Sequence, residues 1–453
     1  MSALNRSLRP TSGELRDFSF PQVNRVRLPN GLDVRVAQLS RLPIVNVSLF
    51  IRASEGALGE EHAGLAVLTA DALEGGTTRR SGSELAESLE GIGARLSASA
   101  GWEGTNVGIS CMADRLPEAF AIMAEAVREP AFPEEEVRRS LDQQLATIRQ
   151  REMDPGALAT EYARRSYFSA DVPYARAVDG SVESISAISR DTVRGYADAN
   201  YRPDGGGLVV VGDVGFDEVA DMVRTHFGDW EGTPEQIADF TVQPASLKRR
   251  VVLVHRAGAV QSEVRIGHVG AARSTPDYYA LSMANMVLGG MFTSRLNLNL
   301  RERNGFTYGV RSRFTFRSRP GPFQISTSVG NDVTDAAIRE AMIELIGMAD
   351  KGPTPDEVAA ARDYAAGVFG LQLETSGQVA TRINQLLIYG LDEDHYDRYR
   401  DDVRAVNSEA AASAAAEHMR PSQAQIVVVG DADAVAKPLE ELDLASVEIV
   451  AVD

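Results

Sequence analysis

Six histidines are the first candidates for metal or acid–base chemistry in this 453-residue chain. No two of them are three or four positions apart, so no helix face presents a histidine pair to a metal ion. This spacing excludes a His-Glu-x-x-His helix or its inverted equivalent, and with it a zinc hydrolase site assembled on one helix. The histidines are His62, His226, His255, His268, His395 and His418.

A carboxylate in an apolar segment is the next candidate. The stretch "HAGLAVLTADALEGGT", residues 62–77, has the apolar spacing of a mostly buried helix and ends with a glycine pair. Asp71 lies inside it, on the same helical face as Val67. Three interpretations are open: a solvated or hydrogen-bonded carboxylate, a ligand for a cation other than zinc, or another role. A single carboxylate without partners is a poor cation site.

Composition and charge narrow the function classes. A net charge of -18 argues against a broad nucleic-acid footprint and against docking on anionic membranes. One cysteine, Cys111, excludes an intrachain disulfide, and its alternating strand-like context indicates a small core residue. The first residues lack the apolar region of a secretory signal, and no stretch approaches the roughly 20 apolar residues of a membrane span. We therefore expect a cytoplasmic protein that binds neither nucleic acid nor membrane.

An internal duplication indicates which elements position these residues. "RPDGGGLVVVGD" begins at Arg202 and "RPSQAQIVVVGD" at Arg420, 218 residues later. "HAGLAVLTADALEGG" ends at Gly76 and "DYYALSMANMVLGG" at Gly290, 214 residues later. A helix-like segment precedes each of the two segments that begin with Arg-Pro. A strand-like segment precedes each of the two segments that end with Gly-Gly. The pattern predicts an α+β chain of two homologous domains, each a mixed β-sheet packed with helices. The predicted ranges are 20–232, a linker at 233–247, and 248–453.

These segments resemble the insulinase/pitrilysin-like zinc metallopeptidases, and among them subunits of the mitochondrial-processing-peptidase type. The first half carries the resemblance in "LPNGLDVRVAQLSRLPIVNVSLFIRAS" and "GLAVLTADALEGGTTRRS". The second half carries it in "GAVQSEVRIGHVGAARSTPDYYALSMANMVLGGMFTSRLNLNLRERNGFTYGV". The resemblance extends from about Val23 to Gly430.

The resemblance implies a degenerate zinc motif in the first half. Family peptidases carry His-x-x-Glu-His on the first long helix and a distal glutamate on a later helix. In this sequence Val67 and Asp71 occupy the histidine positions, Ala70 the glutamate position, and Thr147 the distal position. Asp71 is thus interpreted as standing in place of a zinc ligand. The resemblance predicts no metal cofactor in this chain.

The resemblance also implies a retained functional pair in the second half. The family has an arginine and a tyrosine seven residues apart, and "LRERNGFTYGV" supplies Arg301 and Tyr308 at that spacing. The alternative is that both are surface residues kept by packing. Asn304-Gly305 should break a helix between them, so we expect a helix end followed by a strand.

The expected function follows from the degenerate zinc motif in the first half and the retained arginine–tyrosine pair in the second. The chain is predicted to be the zinc-less subunit of a heteromeric zinc metalloendopeptidase that degrades unfolded peptides. A homologous partner would hold the zinc, and Arg301 and Tyr308 would act in trans on substrate and oxyanion. The segment 94–111 could capture peptide by β-augmentation or be only a sheet strand. A structural, core-protein-like subunit and a homodimeric peptide-binding or regulatory protein are the alternative functions.

Overall fold

The computed structural model describes residues 17–451. Two six-stranded mixed sheets form its frame. The first sheet has the order β1-β2-β6-β3-β5-β4. Its strands are β1 (Asn24–Arg27), β2 (Asp33–Gln38), β3 (Ile44–Ile51), β4 (Arg95–Ala100), β5 (Thr105–Met112) and β6 (Gly207–Gly212).

The second sheet is formed by the C-terminal half. Its order is β12-β7-β11-β8-β10-β9. The strands are β7 (Arg250–His255), β8 (Gln261–Val269), β9 (Val310–Phe314), β10 (Pro322–Gly330), β11 (Gln425–Gly430) and β12 (Val447–Ala451).

The two sheets repeat one topology over five strands. In each, the first long strand pairs in parallel with the late "VVVG" strand, which then pairs antiparallel with the second long strand. The sixth strand differs, because β1 precedes and is antiparallel to β2, whereas β12 follows and is parallel to β7. The predicted α+β class with duplicated mixed sheets is confirmed.

Fifteen α-helices surround the sheets in the described range. In the first half they are α1 (Leu65–Asp71), α2 (Gly82–Gly91), α3 (Leu116–Arg128), α4 (Glu134–Met153), α5 (Pro155–Tyr167), α6 (Val182–Ser186), α7 (Arg190–Asn200) and α8 (Phe216–Phe227). In the second half they are α9 (Tyr278–Asn285), α10 (Thr334–Lys351), α11 (Pro355–Phe369), α12 (Ser376–Tyr389), α13 (His395–Ala405), α14 (Ser408–His418) and α15 (Ala432–Glu441). No helix between residues 17 and 451 is long and apolar enough to cross a membrane.

Each half contributes one helix to the other half's sheet. Helix α5 packs on β8 and β11, where Leu158 and Tyr167 join a cluster with Val427 of the second sheet. Helix α12 packs on β3 and β6, where Ile383 joins a cluster with Val209. Burial of these apolar faces holds the two halves together.

Two local expectations needed correction. The segment 62–77 is not one helix, because α1 ends at Asp71 and a 3₁₀ turn, Ala72–Gly75, follows it. The segment 94–111 is not one strand but the hairpin of β4 and β5. The break between Arg301 and Tyr308 occurs as expected. A π-helical segment, Asn297–Arg303, ends before Asn304 and β9 begins at Val310.

Candidate functional site

The start of α1 is fixed by a buried carboxyl from outside the helix. Gly64 precedes α1 with φ of 88°, and a Cβ there would lie 2.5 Å from the Asp179 carbonyl oxygen, so glycine is required. The Glu55 carboxylate accepts hydrogen bonds from the backbone N–H groups of Gly64 (3.1 Å) and Ala66 (2.8 Å). It thereby caps the N–H groups that α1 itself leaves unpaired. Sequence reasoning missed Glu55, although an acid between an apolar strand and a buried helix was a visible signal.

The positions that match the family's zinc motif do not offer a zinc-binding set. Val67 and Ala70 carry hydrocarbon side chains, and Ala70 is fully buried. Thr147, exposed on α4, donates its hydroxyl to the Gln143 carbonyl oxygen at 3.0 Å. Asp71 is the only acidic group among the four. Zinc sites use three or four nitrogen, sulfur or carboxylate ligands, so these residues do not fit the metal.

Asp71 itself is exposed at the end of α1. Partial burial of its carboxyl, together with the nearby Glu74 carboxylate, raises its pKa to about 6. Within residues 17–451 it belongs to no cluster of three potential metal ligands. Over residues 17–451 one such cluster exists, formed by Asp277, Glu417 and His418 in the other half. The His418 imidazole there already hydrogen-bonds Asp277 at 2.9 Å.

The segment that carries Arg301 is anchored to the second half by buried side chains. Arg301 lies in the π-helical segment, whose buried Leu300 and Asn299 fix it to the second half. The Asn299 amide donates to the carboxylates of Glu340 (2.9 Å) and Glu344 (2.8 Å) on α10. Such π-helical segments occur frequently at functional sites.

The side chain of Tyr308 faces solvent, and that of Arg301 is partly buried. Tyr308 is 96% exposed. The Arg301 guanidinium stacks over the exposed Phe292 ring at 4.5 Å and lies 3.4 Å from the Glu302 carboxylate. Among the described residues, no hydrogen bond, ion pair or ring contact joins either side chain to Val67, Ala70, Asp71 or Thr147. The structure groups the α1 positions in one half and the pair in the other.

The edge strands of the two sheets differ in their free hydrogen-bonding groups. Strand β4 pairs with β5 and ends the first sheet. Strand β9 ends the second, but Asn297 bonds both the N–H and the carbonyl of Val310 (3.2 and 2.9 Å). Asn285 donates to the Ser312 carbonyl at 3.2 Å. Side chains thus block the β9 edge, whereas β4 is the edge suited to accept another strand.

A cavity of about 690 Å³ lies between the halves. On one side it is lined by Trp102 from the β4–β5 turn, and on the other by Tyr278, Gly290 and Arg313. Helix α12 contributes Arg382. Neither Arg301 nor Tyr308 lines it. Sequence reasoning missed this cavity because its residues come from distant segments of the chain.

Comparison with known proteins identifies the lineage. Residues 35–175 match the family described as Insulinase (Peptidase family M16), and residues 187–364 match the Peptidase M16 inactive domain. An uncharacterized zinc protease of Mycobacterium leprae is 26% identical over 379 residues, 83% of this chain and 84% of the relative. Subunit 1 of the mitochondrial cytochrome b-c1 complex of Bos taurus is 25% identical over 271 residues, 60% and 56% of the two chains.

Solved structures agree with the fold. A peptidase M16 inactive domain from Pseudomonas fluorescens superposes with a TM-score of 0.83 at 24% identity, covering 90% of this chain and 98% of that one. A protease from Helicobacter pylori gives the same TM-score at 18% identity, covering 90% and 99%. The two matched family models, which together span most of residues 35–364, establish that this chain belongs to the insulinase family, peptidase family M16.

Proposed function

We propose that this chain is the zinc-less subunit of a heteromeric zinc metalloendopeptidase that degrades unfolded peptides. A homologous partner subunit holds the zinc. This chain supplies Arg301 and Tyr308 to the partner's site, where they bind substrate and stabilise the oxyanion. The chain alone is inactive.

The donor set on α1 and α4 supports the first half of the proposal. Of the four motif positions, Asp71 alone offers a carboxylate, imidazole or thiol to a metal, and over residues 17–451 it belongs to no group of three such ligands. Ala70 cannot accept a proton from a metal-bound water. An inverted zinc motif with these residues has neither the metal ligands nor the general base that peptide hydrolysis requires.

The exposure of Tyr308, with the partly buried Arg301 seven residues before it, is the observation that carries the proposal. A tyrosine that is 96% exposed makes no contribution to packing. The backbone around it is nevertheless anchored, because the buried Asn297 bonds Val310, two residues after Tyr308, and the buried Asn299 bonds Glu340 on α10. A fixed backbone with an exposed functional side chain is suited to contact a second molecule.

The chemistry of the pair fits amide hydrolysis. Attack of water on a peptide carbonyl places negative charge on the oxygen, and a phenol O–H or a guanidinium N–H aimed at it stabilises that charge. The guanidinium also offers a planar set of donors to peptide carbonyl groups and stays protonated at all working pH values.

The edge of β4 supports peptide capture. Strand β4 pairs with another strand on one side only, and α1 packs beside it. An extended peptide added to β4 would lie next to the degenerate motif positions and lead towards Trp102 at the mouth of the cavity. Main-chain hydrogen bonds of this kind select unfolded segments over folded ones.

The test uses this chain and a homologous subunit that carries His-x-x-Glu-His. Each is purified alone and as a mixture, bound zinc is measured by mass spectrometry, and cleavage of an unstructured fluorogenic peptide is followed. Tyr308→Phe and Arg301→Ala in the complex should each lower kcat about 100-fold, as loss of one oxyanion donor does. Arg303→Ala, on the same exposed segment, and Tyr364→Phe, a half-exposed tyrosine on α11, are the matched controls.

Two results would overturn the proposal. One is stoichiometric zinc in this chain together with proteolysis by it unaided. The other is full activity of the complex when both Tyr308→Phe and Arg301→Ala are present.

A structural subunit is the second candidate. The relationship to subunit 1 of the mitochondrial cytochrome b-c1 complex favours it, because that protein is named as a part of an assembly. A structural subunit would assemble with its partner but would leave peptide cleavage unchanged when Tyr308 or Arg301 is replaced. The same kinetic experiment therefore separates the two functions.

A further inference from the structure

The cavity between the two halves has a charge opposite to that of the chain. The protein carries a net charge of -18, yet one carboxylate, Glu103, lines this cavity. Five guanidinium groups line it with Glu103: Arg273, Arg311, Arg313, Arg317 and Arg382. Folding thus concentrates cations from both β9 and α12 around one open cavity.

None of these five guanidinium groups lies within 4.0 Å of a carboxylate oxygen anywhere in residues 17–451. Arg273 stacks over the Tyr278 ring at 3.6 Å and contacts the His395 imidazole at 2.8 Å. Arg382 donates to the amide oxygens of Gln385 and Gln372. Glu103 accepts from the backbone N–H of Ser318 at 3.0 Å. Their positive charge is therefore not balanced by direct pairing.

Arg317 illustrates that the unpaired positive charge in this cavity is energetically unfavourable. Its Nη1 atom is buried and has no hydrogen-bond partner. The guanidinium carbon lies 4.2 Å from the Tyr174 ring centroid and 5.4 Å from that of Trp102, and burial lowers the pKa of the group. A buried charged nitrogen without a hydrogen-bond partner is costly, and an incoming anion would offset that cost.

The two remaining arginines are placed to reach a ligand. On β9 the side chains alternate between the core of the half and solvent, and Arg311 and Arg313 are on the exposed face. Neither makes an ion pair within the described chain. They can reorient towards a bound group without breaking an existing contact.

We propose that this cavity binds the carboxylate side chains of an extended acidic polypeptide segment. The inference rests on the proposed function, because it names the class of peptide that the chain presents. Guanidinium groups bind carboxylates through paired N–H donors, which gives direction as well as attraction. Aromatic walls from Trp102, Tyr278 and Phe316 accept the apolar groups between the carboxylates. A volume of about 690 Å³ lies within the range of about 300–1,000 Å³ that ligand pockets have.

The experiment measures binding by the isolated full-length chain, without any cleavage. Three fluorescent, unstructured peptides of equal length carry Glu, Gln or Lys at the same positions, and their affinities are compared by anisotropy. The acidic peptide should bind about 10-fold tighter than the neutral one, despite the net negative charge of the protein. The variant Arg311→Gln/Arg313→Gln should lose that preference. Both positions are exposed, so the fold is retained, which thermal unfolding checks.

The matched control is Arg41→Gln/Arg194→Gln, which removes the same charge from two exposed positions outside the cavity. It should keep the preference for the acidic peptide. Equal affinity for the three peptides would overturn the inference and leave peptide presentation, and the proposed function, intact. An acidic preference that survives in Arg311→Gln/Arg313→Gln would overturn the cavity as its source. Absence of all peptide binding would overturn it as well, and the proteolysis assay with the partner would then judge the proposed function separately.

Discussion

Glu55 gives a prediction whose size can be worked out from the structure. Its carboxyl is 0% exposed, accepts two backbone N–H groups at the start of α1, and lies 3.5 Å from the Arg176 guanidinium. Burial nevertheless dominates, because removing a carboxylate from water costs more than these partners return. It raises the pKa of Glu55 from the ordinary 4.5 to about 7.

The sign of the effect on stability follows from the direction of the shift. A pKa raised in the folded state means that the folded protein binds the proton more tightly than the unfolded chain. The resulting stabilisation is complete below pH 4.5 and is lost as the pH rises through about 7. At about 1.4 kcal/mol per pH unit, the difference between 4.5 and 7 amounts to about 3 kcal/mol.

The perturbation is Glu55→Gln, and the assay is urea unfolding of wild type and variant at a series of pH values. Glutamine keeps one acceptor oxygen but not both, so the variant should be about 1 kcal/mol less stable than the wild type at pH 4.5 and below, where the wild-type carboxyl is protonated. In the wild type, the titration of the Glu55 carboxyl adds a pH-dependent contribution to the free energy of unfolding. The advantage of the wild type over the variant should fall by about 3 kcal/mol between pH 4.5 and about pH 8.

The control is Glu60→Gln, an exposed acid two residues before His62. It should leave the pH dependence of stability at its wild-type value. A constant difference between wild type and Glu55→Gln across the pH range would refute the reasoning, because Glu55 would then titrate alike in the folded and unfolded chains. Titration of the Glu55 carboxyl by NMR would give the same answer directly.

A surface ion pair and a buried thiol give the remaining predictions. Arg295 donates two hydrogen bonds to Glu357 and lowers its pKa to about 2, so this stabilisation is present above pH 4.5 and lost as the pH falls through about 2. Glu357→Gln should lower the free energy of unfolding by about 1–2 kcal/mol at neutral pH, allowing for solvent screening, and by progressively less in acid. Urea unfolding over a range of pH values measures this. An equal loss at all pH values, or a similar loss in the exposed control Asp356→Asn, would contradict the prediction. Cys111 is 4% exposed and burial raises its pKa to about 11, so Ellman's reagent should react with it only after unfolding, and rapid labelling of the native protein would disprove that burial.

The duplicated frame could be predicted from the sequence because it depends on local patterns. A run of four apolar residues closed by Gly-Asp identifies β6 and β11, and both form the buried centre of a sheet. The exchange of α5 and α12 between the halves could not be predicted in this way. Each helix has one apolar face, but its sequence does not specify which of two similar sheets that face will cover.

The candidate site shows the same contrast between features encoded locally in the sequence and features that form only on folding. The family resemblance predicts Val67, Ala70 and Asp71 together, because it rests on one contiguous stretch of sequence. The cavity arginines were not predicted, since Arg273 and Arg382 are 109 residues apart in the sequence and meet only after folding. The net charge of -18 even argued against the presence of a basic pocket. Whole-chain charge predicts behaviour towards large polyanions, but it does not predict the field inside a cavity.

The two halves have diverged in opposite ways at equivalent places. In the second half, Asn285 and Asn297 occupy the hydrogen-bonding edge of β9, so that sheet does not accept another strand there. In the first half, the edge of β4 pairs on one side only, although the motif positions beside it do not fit zinc. Hydrolysis and strand capture make separate demands, since one needs metal ligands and the other needs unpaired backbone groups. Under the proposed function, a chain with unpaired backbone groups at a strand edge but without metal ligands holds an extended peptide while a different subunit cleaves it.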